Sequence, residues 1–233
     1  MSSATGFVVE SKGVSYLVTN WHVVTGKNPT DGTWVGKAAV SPDSVIVSQN
    51  VAGQLGSWVD RKEELNGGNG ARWLQHPTLG SKVDVVALPL APSSDVELFP
   101  YELEVQGPRL ATGVASDLQI IGFPFGKSGD GRTAIWVRGS IATEPQLDFD
   151  QRPCFLVDSR TRSGQSGSPV IVRADGTRVY EDGSVEMSAG SVEQLVGVYS
   201  GRINERSDLG MVWRLEALRE ILNGGTPGSY EPT

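Results

Sequence analysis

One glycine-rich stretch decides the fold of this chain, and it reads Arg160-Thr161-Arg162-Ser163-Gly164-Gln165-Ser166-Gly167-Ser168-Pro169-Val170. Ser166 stands between two glycines, just before the apolar run that begins at Pro169. Because glycine adopts backbone angles that other residues resist, we expect this stretch to turn tightly with amide hydrogens facing outward. The amides of Gly164 and Ser166 can then converge on one point and stabilise a developing oxyanion. A serine hydroxyl at that point becomes a nucleophile when a base removes its proton.

The chain contains two histidines, and His22 is the candidate for that base. It follows the apolar segment Tyr16–Thr19, where a predicted strand gives way to a short polar turn. Asp84 stands alone in the apolar run Val83–Leu88, and a carboxylate in such a run is costly unless another group pairs with it. The order along the chain is His22, Asp84, Ser166, with separations of 62 and 82 positions.

Each of these features alone has an ordinary structural interpretation. A histidine after a strand is often structural, an aspartate between valines can mark a strand end, and a Gly/Ser-rich loop is commonly a turn. Together, however, three segments resemble a chymotrypsin-fold (trypsin-like) serine protease. Thr19–Val24 is similar to the family's block around the base, Val83–Leu88 to its aspartate block and Gly164–Pro169 to its nucleophile block. The resemblance extends from Gly6 to Leu222 and is closest in style to Do-type bacterial proteases without a PDZ domain.

The resemblance implies an all-β fold of two six-stranded antiparallel Greek-key β-barrels with a short C-terminal α-helix. Residues 1–105 would form the N-terminal β-barrel that carries His22 and Asp84. Residues 106–225 would form the C-terminal β-barrel and helix that carry Ser166, and residues 226–233 a loose tail. The composition agrees, because 29 Gly and 13 Pro favour many turns between short strands.

Short strands are predicted wherever apolar runs lie between glycine, proline and asparagine turns. The first two segments, Ala4–Glu10 and Val14–Thr19, are typical of a hairpin leading to His22. The other strand candidates are residues 34–40, 44–48, 54–59, 118–124, 134–141, 155–158 and 195–202. Residues 91–108 are predicted to be a linker, 173–193 a long exposed hairpin, and 215–222 a helix that ends at glycines.

By the resemblance, the reaction is peptide-bond hydrolysis through an acyl-enzyme. His22 would be the base, Asp84 the acid that orients it, and Ser166 the nucleophile. Gly164 and Ser166 would supply the oxyanion hole, and no cofactor or metal is required. The implied substrate-binding residues are Arg160, Thr161, Tyr199, Ser200, Gly201, Arg202 and Gly210, of which Ser200 would also support Asp84.

The same resemblance gives an expectation for the substrate residue before the scissile bond. Arg160 occupies the place of the trypsin-like aspartate, so cleavage after lysine or arginine is disfavoured. Thr161 falls where glutamyl endopeptidases carry a carboxylate-binding threonine, whereas Tyr199 stands in place of their pocket histidine. We therefore expect an acidic or small side chain, with Arg160 or Arg202 as counter-charge; an arginine directed into solvent is the alternative.

Composition limits the partners and the compartment. The formal net charge is −7 at pH 7 and there is no basic run, so a protein or peptide substrate is expected rather than nucleic acid. No segment approaches the ~18 apolar residues of a membrane span, and the first residues lack the pattern of a signal peptide. With one cysteine there is no internal disulfide, which favours a cytoplasmic protein or a domain cut from a longer one. Fusion to, or a complex with, a regulatory domain stays open.

Two other residues with reactive side chains receive structural interpretations. Cys154 lies in an apolar segment and is expected to be buried; a thiol nucleophile is the alternative. His76, in a His-Pro pair upstream of the aspartate block, is expected to be structural. Its alternative role, as a metal ligand, lacks companions at metal-site spacing.

Two rival functions remain to be weighed against the protease. An α/β-hydrolase also uses serine, histidine and an acid, but its elbow is G-x-S-x-G and its order is serine, acid, histidine. Here Ser168 occupies the second glycine position and the order is reversed. The second rival is a protease-fold peptide-binding module that is catalytically silent or needs an activator. Its discriminating test is covalent labelling of Ser166.

Overall fold

The structure is a computed structural model of the 233-residue chain and describes residues 3–35, 39–68, 70–204 and 206–229. Its first element is a hairpin of β1 (Phe7–Ser11) and β2 (Val14–Thr19). The turn between them takes Lys12 and Gly13 into the left-handed region, with φ of 52° and 76°. A one-turn helix, α1 (Trp21–Thr25), follows β2 directly, so the predicted hairpin leads to His22 as expected.

The remaining elements are mostly short strands. The strands are β3 (Ser44–Val51), β4 (Trp58–Glu64), β5 (Asn66–Gly67), β6 (Gly70–Ala71), β7 (Leu74–Gln75), β8 (Val86–Pro89), β9 (Val96–Glu97), β10 (Asp117–Gly122), β11 (Ile135–Ile141), β12 (Cys154–Ser159), β13 (Pro169–Val179), β14 (Val185–Arg202), β15 (Leu209–Arg214) and β16 (Thr226–Pro227). The second helix is α2 (Leu215–Gly224), and two 3-10 turns span Pro124–Gly126 and Asp130–Arg132. The predicted long hairpin is confirmed as β13 and β14, and the predicted C-terminal helix as α2.

The second half of the chain closes into one antiparallel ring of six strands, in the order β10-β11-β12-β15-β14-β13. Alternate residues of its strands point inward, as the two-residue period of a strand requires. Phe155 and Val157 of β12, Ile120 of β10 and Val170 of β13 are thus buried in one cluster. Apolar residues at alternating positions therefore account for the closure of this half.

The described residues of the first half form no matching ring, so the all-β fold is confirmed but the prediction of two closed six-stranded barrels is not. Among the described residues, its strands form a five-stranded sheet (β1-β2-β8-β7-β16), a three-stranded sheet (β4-β3-β9) and the β5-β6 pair. Five of these strands have only two residues, too few to continue a ladder around a barrel. Of the strand predicted at 34–40, Trp34 forms one isolated bridge with Lys27, and residues 36–38 lie outside the described residues.

The two halves share an apolar core rather than meeting only at the linker. One cluster combines Val18 and Val85 of the first half with Ile171 and Trp213 of the second, and Leu218 of α2 packs into it. Apolar residues of each half cover those of the other and remove them from water, and this burial stabilises the packing of the two halves against each other. The boundary at residues 105 and 106 stays a prediction.

The segment predicted to be a loose tail is attached to the first half. Thr226 and Pro227 pair with Gln75 and Leu74, and the N–H of Gly228 donates to the Trp73 carbonyl at 3.0 Å. Residues 230–233 lie outside the described residues. Neither helix of the described chain combines the length and hydropathy that crossing a lipid bilayer requires.

Candidate active site

The buried Asp84 and the partly buried His22 form a pair at the end of β2. The His22 Nδ1 lies 2.7 Å from Asp84 Oδ2, and the backbone N–H of His22 donates to Asp84 Oδ1 at 2.9 Å. Asp84 is 2% exposed and lies between Val83 and Val85, which are fully buried. A carboxylate there is tolerated only because hydrogen bonds replace those it loses to water. Since one oxygen is bonded to the backbone and the other to the ring, the imidazole is held in one orientation.

A β-bulge supplies the third partner of Asp84. In the β14–β15 ladder Tyr199 pairs with Val212 and Gly201 with Met211, so Ser200 is an extra residue on its strand. A bulge re-aims the side chain that it carries. The Ser200 hydroxyl donates to Asp84 Oδ2, which makes three hydrogen bonds to this carboxylate.

The environment of His22 favours its protonated form. Burial lowers the pKa of His22, but the charge of Asp84 and the hydrogen bond to it raise the pKa more, and the net result is a pKa above 6.5. The imidazolium that would form on accepting a proton from a serine is therefore stabilised by Asp84.

The loop around Ser166 can be built only with glycine on both sides of the Gln165-Ser166 pair. Gly164 has φ of +95° and Gly167 of +84°, both in the left-handed region. A Cβ at Gly164 would lie 2.4 Å from the Phe123 carbonyl oxygen, and one at Gly167 would lie 2.2 Å from that of Thr5. The fully buried Gln165 closes the turn, because its Oε1 accepts the Arg162 N–H at 2.8 Å. This is the physical reason for the glycine pattern that the sequence shows.

Two backbone amides at this loop are available to a ligand. The Ser163 carbonyl accepts the N–H of Phe125 at 2.6 Å. In a planar trans peptide the N–H points opposite to the carbonyl, so the Gly164 N–H is directed away from Phe125. Within the described residues, neither the Gly164 nor the Ser166 N–H donates a hydrogen bond. The two predicted oxyanion donors therefore both lack an internal acceptor.

The Ser166 side chain is half-buried and adjoins these amides. No hydrogen bond joins its hydroxyl to His22 in the part of the chain that the structure describes. In proteins without substrate, the bond between a nucleophile and its base is often long and tightens only in the complex. Of the three predicted catalytic residues, His22 and Asp84 are therefore hydrogen-bonded to each other, whereas the Ser166 hydroxyl is not bonded to His22 within the described residues.

The predicted substrate-binding residues surround a buried phenol. The Tyr199 hydroxyl is hydrogen-bonded to Thr161 Oγ1, and both residues are buried. A Cβ at Gly210 would lie 2.5 Å from the Tyr199 ring, so Gly210 leaves space that the ring fills. Burial raises the pKa of Tyr199 to about 12, and the nearby Arg162 and Arg202 partly oppose this. Two positive charges therefore act on this phenol.

Arg160 lies apart from these buried groups. It is exposed and forms no ion pair with any residue that the structure describes. Arg162 instead donates to the Thr161 carbonyl at 2.7 Å and lies 3.6 Å from Asp208. The structure therefore favours Arg162 and Arg202 over Arg160 as the cations near the phenol, and Arg162 was not among the predicted substrate-binding residues.

Comparison with known proteins identifies the family of this chain. A family model described as a trypsin-like peptidase domain matches residues 4–179. The chain belongs to this family. No curated protein matches the sequence.

Several solved serine proteases are similar in structure to this trypsin-like peptidase domain. The thermostable serine protease AL20 from an extremophilic microorganism is 11% identical with a TM-score of 0.50, over 94% of this chain and 88% of that chain. The active form of the Rv3671c protease from M. tuberculosis is 15% identical with a TM-score of 0.48, over 99% of this chain and 75% of that chain. The HtrA-type protease AlgW is 15% identical with a TM-score of 0.48, over 92% of this chain and 48% of that chain. At 11% identity and a TM-score of 0.50, the likeness to AL20 shows the fold alone.

Two residues outside the predicted triad have structural roles in this trypsin-like peptidase domain. His76 is 3% exposed; its Nδ1 accepts the Leu79 N–H at 3.2 Å and its Nε2 lies 3.0 Å from Glu220 of α2. Cys154 is fully buried in the shared core, and burial raises the pKa of its thiol to about 11. A thiol nucleophile at Cys154 is therefore excluded by its environment. The described residues contain no cluster of three metal-ligating side chains.

Two functional contacts were missed by reasoning from the sequence. Thr5 donates its hydroxyl to the Gly164 carbonyl at 2.8 Å, and the buried Asn20 donates its side-chain amide to the Asp84 carbonyl at 2.7 Å. The sequence shows each only as a polar residue beside a strand. No local signal could have identified either, because their partners are 159 and 64 positions away.

Proposed function

We propose that this protein is a serine endopeptidase that hydrolyses peptide bonds through an acyl-enzyme on Ser166. The observation that carries the proposal is the buried Asp84 carboxylate, which accepts both the ring Nδ1–H and the backbone N–H of His22. With Nδ1 committed to Asp84, the remaining ring nitrogen Nε2 is the one free to accept a proton. That division of roles is what a general base beside a serine requires.

In the proposed mechanism, Ser166 Oγ attacks the substrate carbonyl while its proton moves to His22 Nε2. The N–H groups of Gly164 and Ser166 hold the oxyanion of the tetrahedral intermediate, each such donor contributing about 3 kcal/mol to the rate. The imidazolium then gives its proton to the leaving amine, which leaves the acyl group on Ser166. Water repeats the sequence on the acyl-enzyme, and His22 returns the proton to Ser166. None of these steps needs a cofactor.

The substrate backbone is proposed to bind along the end of β14. Pairing of β13 with β14 ends at Val198, so from Ser200 to Arg202 one edge of β14 has no partner strand among the described residues. An extended peptide can add to such an edge by main-chain hydrogen bonds. This edge begins at the residue that binds Asp84, which places the peptide beside the catalytic pair.

The substrate side chain before the scissile bond is proposed to be acidic or small. The Thr161 and Tyr199 hydroxyls are buried and hydrogen-bonded to each other, and in this proposal they exchange that bond for one to a substrate carboxylate, near the positive charges of Arg162 and Arg202 that act on the same phenol. A lysine or arginine side chain would meet those charges unfavourably, and no carboxylate is among the predicted pocket residues to offset them. A positional peptide library tests this: a preference for basic residues would overturn the proposed specificity.

The experiment that tests the activity is intact-mass spectrometry after treatment with a fluorophosphonate. We expect one adduct on the wild type and none on Ser166→Ala. Ser163→Ala is the matched control, because Ser163 is an exposed serine in the same loop and should leave labelling intact. Loss of the adduct in both variants would contradict Ser166 as the nucleophile.

One observation favours a second candidate, a protease-fold peptide-binding module that is silent or needs an activator. The hydroxyl of Ser166 is not hydrogen-bonded to His22 within the described chain. If the folded wild type stays unlabelled by the fluorophosphonate, this candidate replaces the peptidase. If a peptide substrate then restores labelling, the protein is activator-dependent rather than silent.

A further inference from the structure

Thr5 connects three segments that meet behind the nucleophile loop. Its backbone N–H donates to the Ser166 carbonyl at 2.9 Å, and its carbonyl accepts the Thr19 hydroxyl at 2.8 Å. Its own hydroxyl donates to the Gly164 carbonyl at 2.8 Å and accepts the Phe123 N–H at 3.1 Å. The residue is 4% exposed, so water does not compete for these bonds. Every polar group of Thr5 is therefore hydrogen-bonded.

The side-chain hydroxyl acts on the peptide unit that follows Gly164. The carbonyl before Gly164, that of Ser163, is already held by the Phe125 N–H at 2.6 Å. Thr5 Oγ1 holds the carbonyl after it, so the peptide planes on both sides of Gly164 are fixed. Because φ and ψ are the only soft dihedrals of a residue, fixing both planes fixes Gly164 itself. The direction of its N–H is then determined before a substrate arrives.

Glycine positions show how closely Thr5 is enclosed. A Cβ at Gly122 would lie 2.6 Å from Thr5 Oγ1, and one at Gly167 would lie 2.2 Å from the Thr5 carbonyl oxygen. Both distances are shorter than a real contact allows, so these neighbours approach Thr5 only because they lack side chains. The hydroxyl consequently has little freedom to leave the Gly164 carbonyl.

We propose that Thr5 is a positioning residue that holds Gly164 so that its N–H faces the developing oxyanion. The inference rests on the proposed peptidase function. Preorganised donors are effective because they need no reorganisation when charge develops. Without the Thr5 hydroxyl, the peptide plane after Gly164 is released and only the Phe125–Ser163 hydrogen bond restrains the plane that carries the Gly164 N–H, so this donor is held less firmly towards the oxyanion.

The test measures the rate of phosphonylation of Ser166 by the fluorophosphonate in the full chain. Removing one oxyanion donor outright typically costs about 100-fold to 1,000-fold, so loosening it by Thr5→Val should slow phosphonylation about 10-fold to 100-fold. Thr5→Ser keeps the hydroxyl and should stay within about threefold of wild type. Thr5→Ala is the second variant, because its smaller side chain leaves room for water and preserves folding if valine does not.

Thr143→Val is the matched control for the loss of a threonine hydroxyl. Thr143 Oγ1 accepts the Leu156 N–H at 2.9 Å, away from the nucleophile loop. Both Thr→Val variants should lower Tm by about 2–8 °C, but only Thr5→Val should slow phosphonylation. The pH at which the rate reaches half its plateau should not move in Thr5→Val, because the His22–Asp84 pair is untouched.

The outcomes separate the inference from the proposed function. If the wild type is not labelled, the peptidase proposal fails and the role of Thr5 fails with it. If the wild type is labelled but folded Thr5→Val or Thr5→Ala is labelled as fast, only the role of Thr5 is overturned. A shift of the pH midpoint in these variants would also overturn it, since Thr5 would then act through His22.

Discussion

Replacing Asp84 by asparagine isolates what the carboxylate does for His22. Asp84 accepts three hydrogen bonds, from the backbone N–H and ring of His22 and from Ser200. Asparagine has one acceptor oxygen. If that oxygen keeps the backbone N–H, the amide nitrogen faces the ring and the Ser200 hydroxyl. The ring then puts its proton on Nε2, the nitrogen that must accept a proton from Ser166.

The expected cost follows from that change of tautomer. A serine protease with the wrong histidine tautomer loses about 10⁴-fold in rate, which corresponds to about 5 kcal/mol of transition-state stabilisation. The pH dependence should also change, and its direction follows from the causes of the shift. Both influences that raise the pKa of His22 come from Asp84, whereas burial lowers it. In Asp84→Asn only burial remains, so the pKa of His22 should fall below 6.5.

The assay is the rate of Ser166 phosphonylation between about pH 5 and pH 9. Because neutral His22 is the active form, the wild-type rate should rise with pH through a midpoint above 6.5. Asp84→Asn should show a much lower plateau, reached at lower pH. The exposed Asp117, which pairs with Arg138, provides the control: Asp117→Asn should leave plateau and midpoint unchanged. A midpoint in Asp84→Asn at or above that of wild type would refute the reasoning.

Three other predictions follow from single positions. Gly167→Ala should lower the free energy of unfolding in urea by more than about 3 kcal/mol, because its Cβ would lie 2.2 Å from a backbone oxygen. Gly183→Ala is the control: with φ of +82° and nothing within 4 Å of its Cβ, it should cost about 1 kcal/mol, and equal costs would contradict the close approach at Gly167. Tyr199→Phe should lower kcat/KM about 10-fold for peptides with glutamate before the scissile bond, because in the proposed specificity only the acidic side chain uses the hydroxyl. For peptides with alanine at that position kcat/KM should stay within about threefold of wild type, and an equal loss for both peptides would count against a specificity role. Cys154, fully buried with a thiol pKa of about 11, should resist iodoacetamide in the native protein and react only after denaturation, as read by mass.

The sequence predicted the structure best where the signal lies within one short segment, such as a charged residue in an apolar run or a turn between alternating strands. A lone aspartate among valines required a partner, and the structure supplies three donors to Asp84. The hairpin β1–β2 and the long hairpin β13–β14 were identified because their turns and alternating residues are local signals. The His22–Asp84 pair was accessible because its two members sit in recognisable segments.

What the sequence did not predict depends on contacts between distant residues. The tail at Thr226 pairs with β7 because Gln75 and Leu74 offer an open strand edge, which nothing near Thr226 indicates. The first half was expected to close because the family's barrel does, but two-residue strands cannot carry the ladder. Thr5 lies beside a predicted strand with no feature that marks it, because its partners come from elsewhere in the fold.

Under the proposed function, each half of the chain holds a group that belongs to the other half's part of the site. Ser200, from the second half, donates to Asp84 of the first, and Thr5, from the first half, donates to Gly164 beside the proposed nucleophile of the second. Both bonds depend on the mixed core that joins the halves, in which Ile171 and Trp213 pack with Val18. A small separation of the halves would therefore release the acid and the oxyanion loop together. Under the proposed function, activity should be lost when this interface loosens, before either half unfolds.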